Sequence, residues 1–342
     1  MNSGIIGAGS FGTAIAKIAA KKAKVYIYVR NKEIARKINT THRIKDLILS
    51  DNIIALTSIE ELMSRCSVIF PIVPSKEFRT VIKEMSQFLL DTHTVIHGTK
   101  GLDVTDFEFE SNEKPITRGN VHTMSEVIRQ ESNARLIGCL SGPNLAKEIH
   151  EGKPTATVIA STYMEVIETA ESVLNTDSFQ VLRANDLIGA EMAGAFKNVF
   201  AIGSGILSGL ELGRNIQALL ISRGLREMLI LANAMGANSR TFFGAAGIGD
   251  LVATTTSPDS RNFTFGYRIG KGEKRNEIRQ DKYELAEGVR TMKIMKLLAD
   301  YYNLELPLVK LIYFVVHKDL DPSKALNFLF TSTRNDDVDF LF

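Results

Sequence analysis

Three groups of residues combine types and spacings that suit chemistry. The first is Gly7-Ala8-Gly9-Ser10-Phe11-Gly12. It follows the apolar run Ser3-Gly4-Ile5-Ile6 and precedes Thr13–Ala20, which has the composition of a helix. Strand, glycine turn and helix in that order is the setting in which G-x-G-x-x-G binds a dinucleotide. Gly7 allows the tight turn, Gly9 lets the backbone approach a pyrophosphate, and Gly12 lets the helix pack close on its strand. Ser10 and Phe11 fall at the helix start, where exposed N–H groups face an anion. A plain structural turn is the competing reading.

The second group is centred on Lys197, one lysine in the run Glu191-Met192-Ala193-Gly194-Ala195-Phe196-Lys197-Asn198-Val199-Phe200-Ala201. On a helix, Ala193, Gly194, Lys197, Ala201, Ser204 and Gly205 share a face. Small neighbours admit another helix or a ligand, and a lysine buried there requires a partner. Glu191 and Asp250 are the candidate carboxylates, and a purely structural ion pair is the alternative. The third group, Gly244–Asn262, offers glycines, hydroxyls, Asp250, and Ser260-Arg261-Asn262. The planar fork of Arg261 suits a phosphate, with Ser260 and Asn262 adding hydrogen bonds. A helix-start loop capped by Ser260 would read the same way.

The elements that must position these groups follow from pattern. Strands are expected at Ser3–Ile6, Val25–Val29, Ile53–Leu56, Val68–Val73, Thr94–His97, Arg135–Leu140, Thr155–Ala160 and Phe179–Leu182. Most alternate with helices, which predicts an α/β fold: an N-terminal Rossmann-like, doubly wound, largely parallel sheet. Ligands in such sheets bind beyond the carboxyl ends of strands. Pro74-Ser75, Lys100-Gly101 and Ser141-Gly142-Pro143-Asn144 all stand there. Arg30 ends the second strand, where a carboxylate would favour NAD; an arginine suits a 2′-phosphate or adenine stacking, so NADP or both cofactors are expected. A solvated surface arginine is the bland alternative. From Asp186 the pattern turns helical, so residues 1–184 are expected to form a dinucleotide-binding domain and 185–342 an all-helical one. The acidic stretch 103–120 reads as an inserted, solvated surface loop, and Arg334–Asp339 as a frayed tail.

Composition bounds the function. The 342 residues, 44% hydrophobic, suffice for two domains with substantial cores. The 41 basic and 39 acidic residues leave a net charge of +2, which gives no ground for nucleic-acid affinity. Cys66 and Cys139 form no C-x-x-C pair, and the six histidines have no metal-ligand spacing, so no metal is expected. A serine-hydrolase elbow is absent from the sequence. With no leader pattern and no run of about 18 apolar residues, the expectation is a cytoplasmic protein without a membrane span.

The chain resembles the bacterial-type NAD(P)-dependent glycerol-3-phosphate dehydrogenases over nearly its whole length. The resemblance rests on Gly7–Ala14, Lys100-Gly101, Ser141–Ala146, Gly194–Asn198, Arg223-Gly224, Gly249-Asp250-Leu251 with Ser260-Arg261-Asn262, and Glu287-Gly288. It implies that Lys197 transfers the proton, and that Lys100 contacts both cofactor and substrate. It implies substrate or cofactor contacts at Gly142, Asn144 and Ala146, and substrate contacts at Asp250, Ser260, Arg261 and Asn262, with Arg261 also near the cofactor. Leu285 and Glu287 match cofactor contacts. The implied reaction moves hydride between a nicotinamide and the oxygen-bearing carbon of a small phosphate substrate. A cation beside Lys197 and partial burial would favour its neutral, basic form. The resemblance also implies a homodimer through the helical domain. A related dehydrogenase of another hydroxy acid or phosphate ester, and a non-catalytic nucleotide sensor, are the other readings. The chain departs from the family pattern at Thr41–Asp46, where a tyrosine–leucine–proline–glycine element is usual, and at Asn144 and Thr255, which replace a frequent serine and cysteine.

Overall fold

The computed structural model describes residues 1–109, 115–280 and 286–326, the side chains of 279 and 280 excepted. It divides into two compact units, one of Met1–Asp103 with His122–Glu191, the other of Val104–Val121 with the chain from Met192 onward.

In the first unit β1 (Ser3–Ile6), α1 (Ser10–Ala19), β2 (Val25–Tyr28) and α2 (Lys32–Thr41) open the chain. A short hairpin follows, β3 (Arg43–Ile44) with β4 (Leu47–Ile48). Next come β5 (Ile53–Leu56), α3 (Ile59–Arg65), β6 (Val68–Pro71), α4 (Ser75–Met85) and β7 (Thr94–His97). Beyond a two-stranded ribbon of β8 (Asp103–Val104) and β9 (Val121–His122) lie α5 (Met124–Glu131), β10 (Leu136–Ser141) and α6 (Ala146–His150). The unit continues with β11 (Thr155–Ala160), α7 (Met164–Leu174) and β12 (Phe179–Ala184). The main sheet has eight strands in the order β12-β11-β10-β7-β6-β1-β2-β5. Its neighbours are parallel except β10 and β11. Strands β1, β6 and β7 are buried at every residue, which is why their apolar residues fall next to each other rather than alternating with exposed polar ones. The core joins Ile5, Phe70, Ile96 and Leu140 of the strands to Ile15 of α1 and Ile167 of α7. Both thiols are buried, and burial pushes that of Cys66 up to about 12.

The second unit is helical. Helix α8 (Leu187–Gly209), within which the chain leaves the first unit, is followed by α9 (Arg214–Ala234), α10 (Asp250–Thr255) and α11 (Arg261–Gly270). Then come α12 (Arg275–Gln280), α13 (Glu287–Tyr301) and α14 (Pro307–Lys318). No helix among the described residues is long and apolar enough to cross a membrane.

The reading of 103–120 as a solvated loop needs correction at both ends. Asp103 is buried and pairs with Arg79 at 2.7 Å. Ile116 and Val121 are buried as well. Lys293 of α13 donates a 2.7 Å hydrogen bond to the Phe109 carbonyl and stands 5.0 Å from the centre of its ring. Apolar residues set between the acidic ones anchor this stretch. Residues 110–114 and the tail from 327 lie outside the described residues.

Candidate active site

One candidate cluster, in the sheet unit, is built on the ends of β1, β6, β7 and β10. Gly7 has φ +123°, and a Cβ there would lie 2.1 Å from the Ile72 carbonyl oxygen. A Cβ on Gly12 would lie 1.9 Å from the Gly7 oxygen, so the start of α1 can meet the turn only through glycine. A Cβ on Gly9 would meet no protein atom within 4 Å. The protein itself therefore makes no demand for glycine there, and the open space over the helix start suits an anionic ligand. Ser10 and Phe11 begin α1 beside it.

Lys100 follows β7. Its Nζ donates to the Gly142 carbonyl at 3.1 Å and stands 6.0 Å from the centre of the Phe11 ring. Two of the segments expected at the strand ends, Ser141–Asn144 and Lys100-Gly101, are thus brought to the glycine turn. Thr99 locks the second of them, its hydroxyl donating to the Val73 carbonyl at 2.7 Å. Gly142 has φ +119°, and two residues on Asn144 is buried, with its Nδ2 donating to the Thr157 hydroxyl at 3.2 Å. The Asn144 Oδ1 is buried with no partner. A buried acceptor without a donor is costly, so it marks a place where a ligand's N–H or O–H fits. Ala146 opens α6 next to it. Arg30, just past β2, is exposed and donates to Glu77 at 2.8 Å.

A second cluster lies in the helical unit. Lys197 and Asp250 are buried and hydrogen-bonded, Lys197 Nζ to Asp250 Oδ1. The same amine donates to the Thr254 hydroxyl at 2.7 Å. Asp250 and Thr254 share a face of α10, four residues apart. A turn of π-helix, Ala245–Gly249, delivers Asp250 to the cluster; such turns concentrate at functional sites. The Lys197 amine and the Asp250 carboxylate thus form a buried ion pair. Glu191, the other carboxylate considered for Lys197, is engaged elsewhere. It accepts from the Ser125 backbone N–H at 2.7 Å and from the Ser125 hydroxyl at 2.6 Å. His97 Nε2 also lies 3.0 Å from it, but off the line of a hydrogen bond.

The small-residue face of α8 is filled by another helix. A Cβ on Gly205 would lie 2.0 Å from the Phe263 carbonyl oxygen, and one on Gly266 equally close to that of Ile202. This seam sets α11 directly on α8. At its head, Asn262 Nδ2 donates to Asn198 Oδ1 at 3.0 Å, and Asn262 Oδ1 accepts from the Gly288 N–H at 2.9 Å. Ser260 caps α11, accepting from the Phe263 N–H at 3.3 Å, as the bland reading required. Arg261 is exposed at the first position of that helix. A cation at a helix N-terminus opposes the dipole. Glu287 opens α13, and Leu285 lies outside the described residues.

Thr254 and Asn198 complete these clusters, and sequence reasoning did not single them out. The i, i+4 spacing from Asp250 and the place next to Lys197 were the available signals. Chemically, the helical cluster offers a buried amine with a carboxylate and a hydroxyl, a set able to give and take a proton. The sheet cluster offers an anion-binding turn, a lysine and an unmet acceptor, which fit a dinucleotide.

Residues 3–167 match the family model described as NAD-dependent glycerol-3-phosphate dehydrogenase N-terminus, and residues 186–327 the corresponding C-terminus model. A relative from Teredinibacter turnerae, named glycerol-3-phosphate dehydrogenase [NAD(P)+], is 36% identical over 98% of this chain and 96% of its own. One of the same name from Exiguobacterium is 34% identical over 100% of this chain and 98% of its own. Among solved structures, a glycerol-3-phosphate dehydrogenase from Coxiella burnetii superimposes with a TM-score of 0.85 at 31% identity, covering 96% of this chain and 98% of that one.

Proposed function

The chain belongs to the NAD-dependent glycerol-3-phosphate dehydrogenase family, and from that premise we propose the following reaction and division of roles. The protein is an NAD(P)-dependent oxidoreductase that interconverts dihydroxyacetone phosphate and sn-glycerol 3-phosphate, supplying glycerophospholipid synthesis in the cytoplasm. Residues 1–184 hold the dinucleotide and 185–342 hold the substrate and its proton donor. Two copies of the chain pair through the helical domain.

A bound nicotinamide cofactor supplies or accepts the hydride. The chain's own residues do the rest. Gly7, Gly9, Ser10, Phe11 and Gly12 bind the pyrophosphate, Arg30 faces the adenosine ribose, and Ala146, Leu285 and Glu287 make further cofactor contacts. Lys100 and Arg261 balance the phosphate charge, and Gly142, Asn144, Ser260 and Asn262 orient the substrate. Lys197 gives a proton to the carbonyl oxygen during reduction and takes it from the alcohol during oxidation. Asp250 is the counter-ion beside the amine, and the Thr254 hydroxyl fixes the direction in which it points. Developing negative charge on the oxygen is stabilised by the same ammonium group, held in place before reaction.

The observation that carries this reading is the buried Lys197–Asp250–Thr254 cluster in a chain of this family. The test is NADPH and NADH absorbance on adding dihydroxyacetone phosphate. Turnover is expected with the phosphate ester and not with dihydroxyacetone. Equal rates with both would place the substrate in another class, and no turnover with either cofactor would favour a nucleotide sensor.

A further inference from the structure

Arg30 and Glu77 come from either side of the glycine turn. In the sheet β1, which carries the turn, lies between β2 and β6. Arg30 stands just beyond β2, and Glu77 is in the first turn of α4, just beyond β6. Arg30 Nη2 donates to Glu77 Oε2 at 2.8 Å, with the two side chains 77% and 43% exposed. The pair therefore spans the end of the very strand whose turn binds the dinucleotide, on the side where Arg30 meets the ribose.

From this geometry we propose that Glu77 is a specificity-determining residue for the cofactor. The inference rests on the dinucleotide reading given above. Arg30 alone would select a 2′-phosphate, by charge and by its planar fork. Glu77 holds that fork in the free protein. A 2′-phosphate must displace the carboxylate and then sits near it, like charge beside like charge. A ribose 2′-OH has no such conflict, since a carboxylate accepts hydrogen bonds from it. The arginine thus draws the phosphorylated cofactor while its counter-ion moderates the preference, and both cofactors are used. Two of the leading N–H groups of α2 are already satisfied, because Asn31 Oδ1 accepts from Glu33 N at 2.8 Å and Ile34 N at 3.1 Å. Discrimination at this edge then falls to the charged pair. Exposed pairs are weak, so the effect is a tuning of preference and not an on–off selection.

The experiment is equilibrium binding by the full-length protein, without substrate. NADPH and NADH are titrated against wild type, Glu77→Gln, Arg30→Ala and the double variant, each checked by its melting temperature. Adenosine 2′,5′-bisphosphate and AMP are run in parallel, as probes that differ only in the 2′-phosphate. Glu77→Gln is expected to strengthen NADPH binding relative to NADH by roughly 5-fold, the scale of an exposed pair. The same shift is expected for the bisphosphate over AMP. Arg30→Ala is expected to lower the ratio, and adding Glu77→Gln to it to have a smaller effect than in wild type. An unchanged ratio in Glu77→Gln, with both cofactors still bound, overturns the proposal and leaves the family reading intact. Failure of every variant and of wild type to bind either nucleotide overturns the dinucleotide reading itself.

Discussion

Lys197 is costly to bury, and its neighbours show why it is tolerated. Its charge is met by Asp250 and its hydrogen-bonding capacity by Thr254, both on one short helix. Removing the hydroxyl by Thr254→Val leaves the ion pair but frees the amine to swing. We expect kcat to fall about 10- to 100-fold with little change in KM, measured by steady-state kinetics, because a hydrogen bond to a charged group is worth about 1.5–3 kcal/mol. Arg261 makes the opposite kind of contribution, to binding. Arg261→Ala is expected to raise KM for the phosphate substrate about 10- to 100-fold, the worth of a hydrogen bond to a charged group. The glycine turn was legible in the sequence because its demands are local: Gly7 needs its positive φ and Gly12 its lack of a Cβ within a few residues of each other. The partner of Lys197 was not, since the choice between Glu191 and Asp250 turns on contacts across 53 residues of chain in one case. Ser125, which claims Glu191, carries no signal in its neighbourhood that distinguishes it from an ordinary helix-start serine.

At the scale of elements, helices that position the site are pinned by buried polar groups. Glu227 of α9 caps α14 from outside, accepting from the Leu308 N–H at 2.6 Å and the Val309 N–H at 2.9 Å. Burial pushes this carboxyl up to about 8 from an ordinary 4.5, although both backbone donors favour the anion. His317 of α14, shielded from water and facing Arg275, is pushed down to about 4 from 6.5. A carboxyl with a raised folded value binds more protons when folded, so its contribution to stability falls as pH rises from about 4.5 to 8. A histidine with a lowered value contributes stability that is lost as pH falls from 6.5 to about 4. The two slopes oppose each other below 6.5 and leave a net decline above it. Thermal midpoints measured at pH 6.5 and 8 should therefore fall in wild type and hold steadier in Glu227→Gln. The sheet strands were legible because each carries a short run rich in β-branched and apolar residues, most of them buried. The hairpin at Arg43–Ile48 and the anchoring of 104–121 were not, because two-residue strands and isolated apolar residues such as Ile116 carry no period.

At the scale of the molecule, the chain reads as a sheet unit followed by a helical one, and that order was visible in the switch of period near residue 184. The passage of 104–121 into the helical unit was hidden, since it depends on where a side chain such as Phe109 finds its partners. Ligands that bind only the folded chain must raise its stability. NADPH at about 100 times its Kd should add about 2.7 kcal/mol, read as a higher melting temperature. Gly9→Val fills the space over the helix start, where a Cβ meets no protein atom within 4 Å, so it should keep the basal melting temperature and abolish the shift. A retained shift in that variant would move the nucleotide away from the glycine turn. The proposed chemistry as a whole depends on the amine of Lys197 carrying the proton. The decisive measurement is kcat for dihydroxyacetone phosphate reduction in Lys197→Met, with NADPH binding measured on the same sample. A loss of roughly 100- to 10,000-fold with cofactor affinity unchanged is predicted, the scale of general acid–base catalysis. Activity within a few-fold of wild type would contradict it.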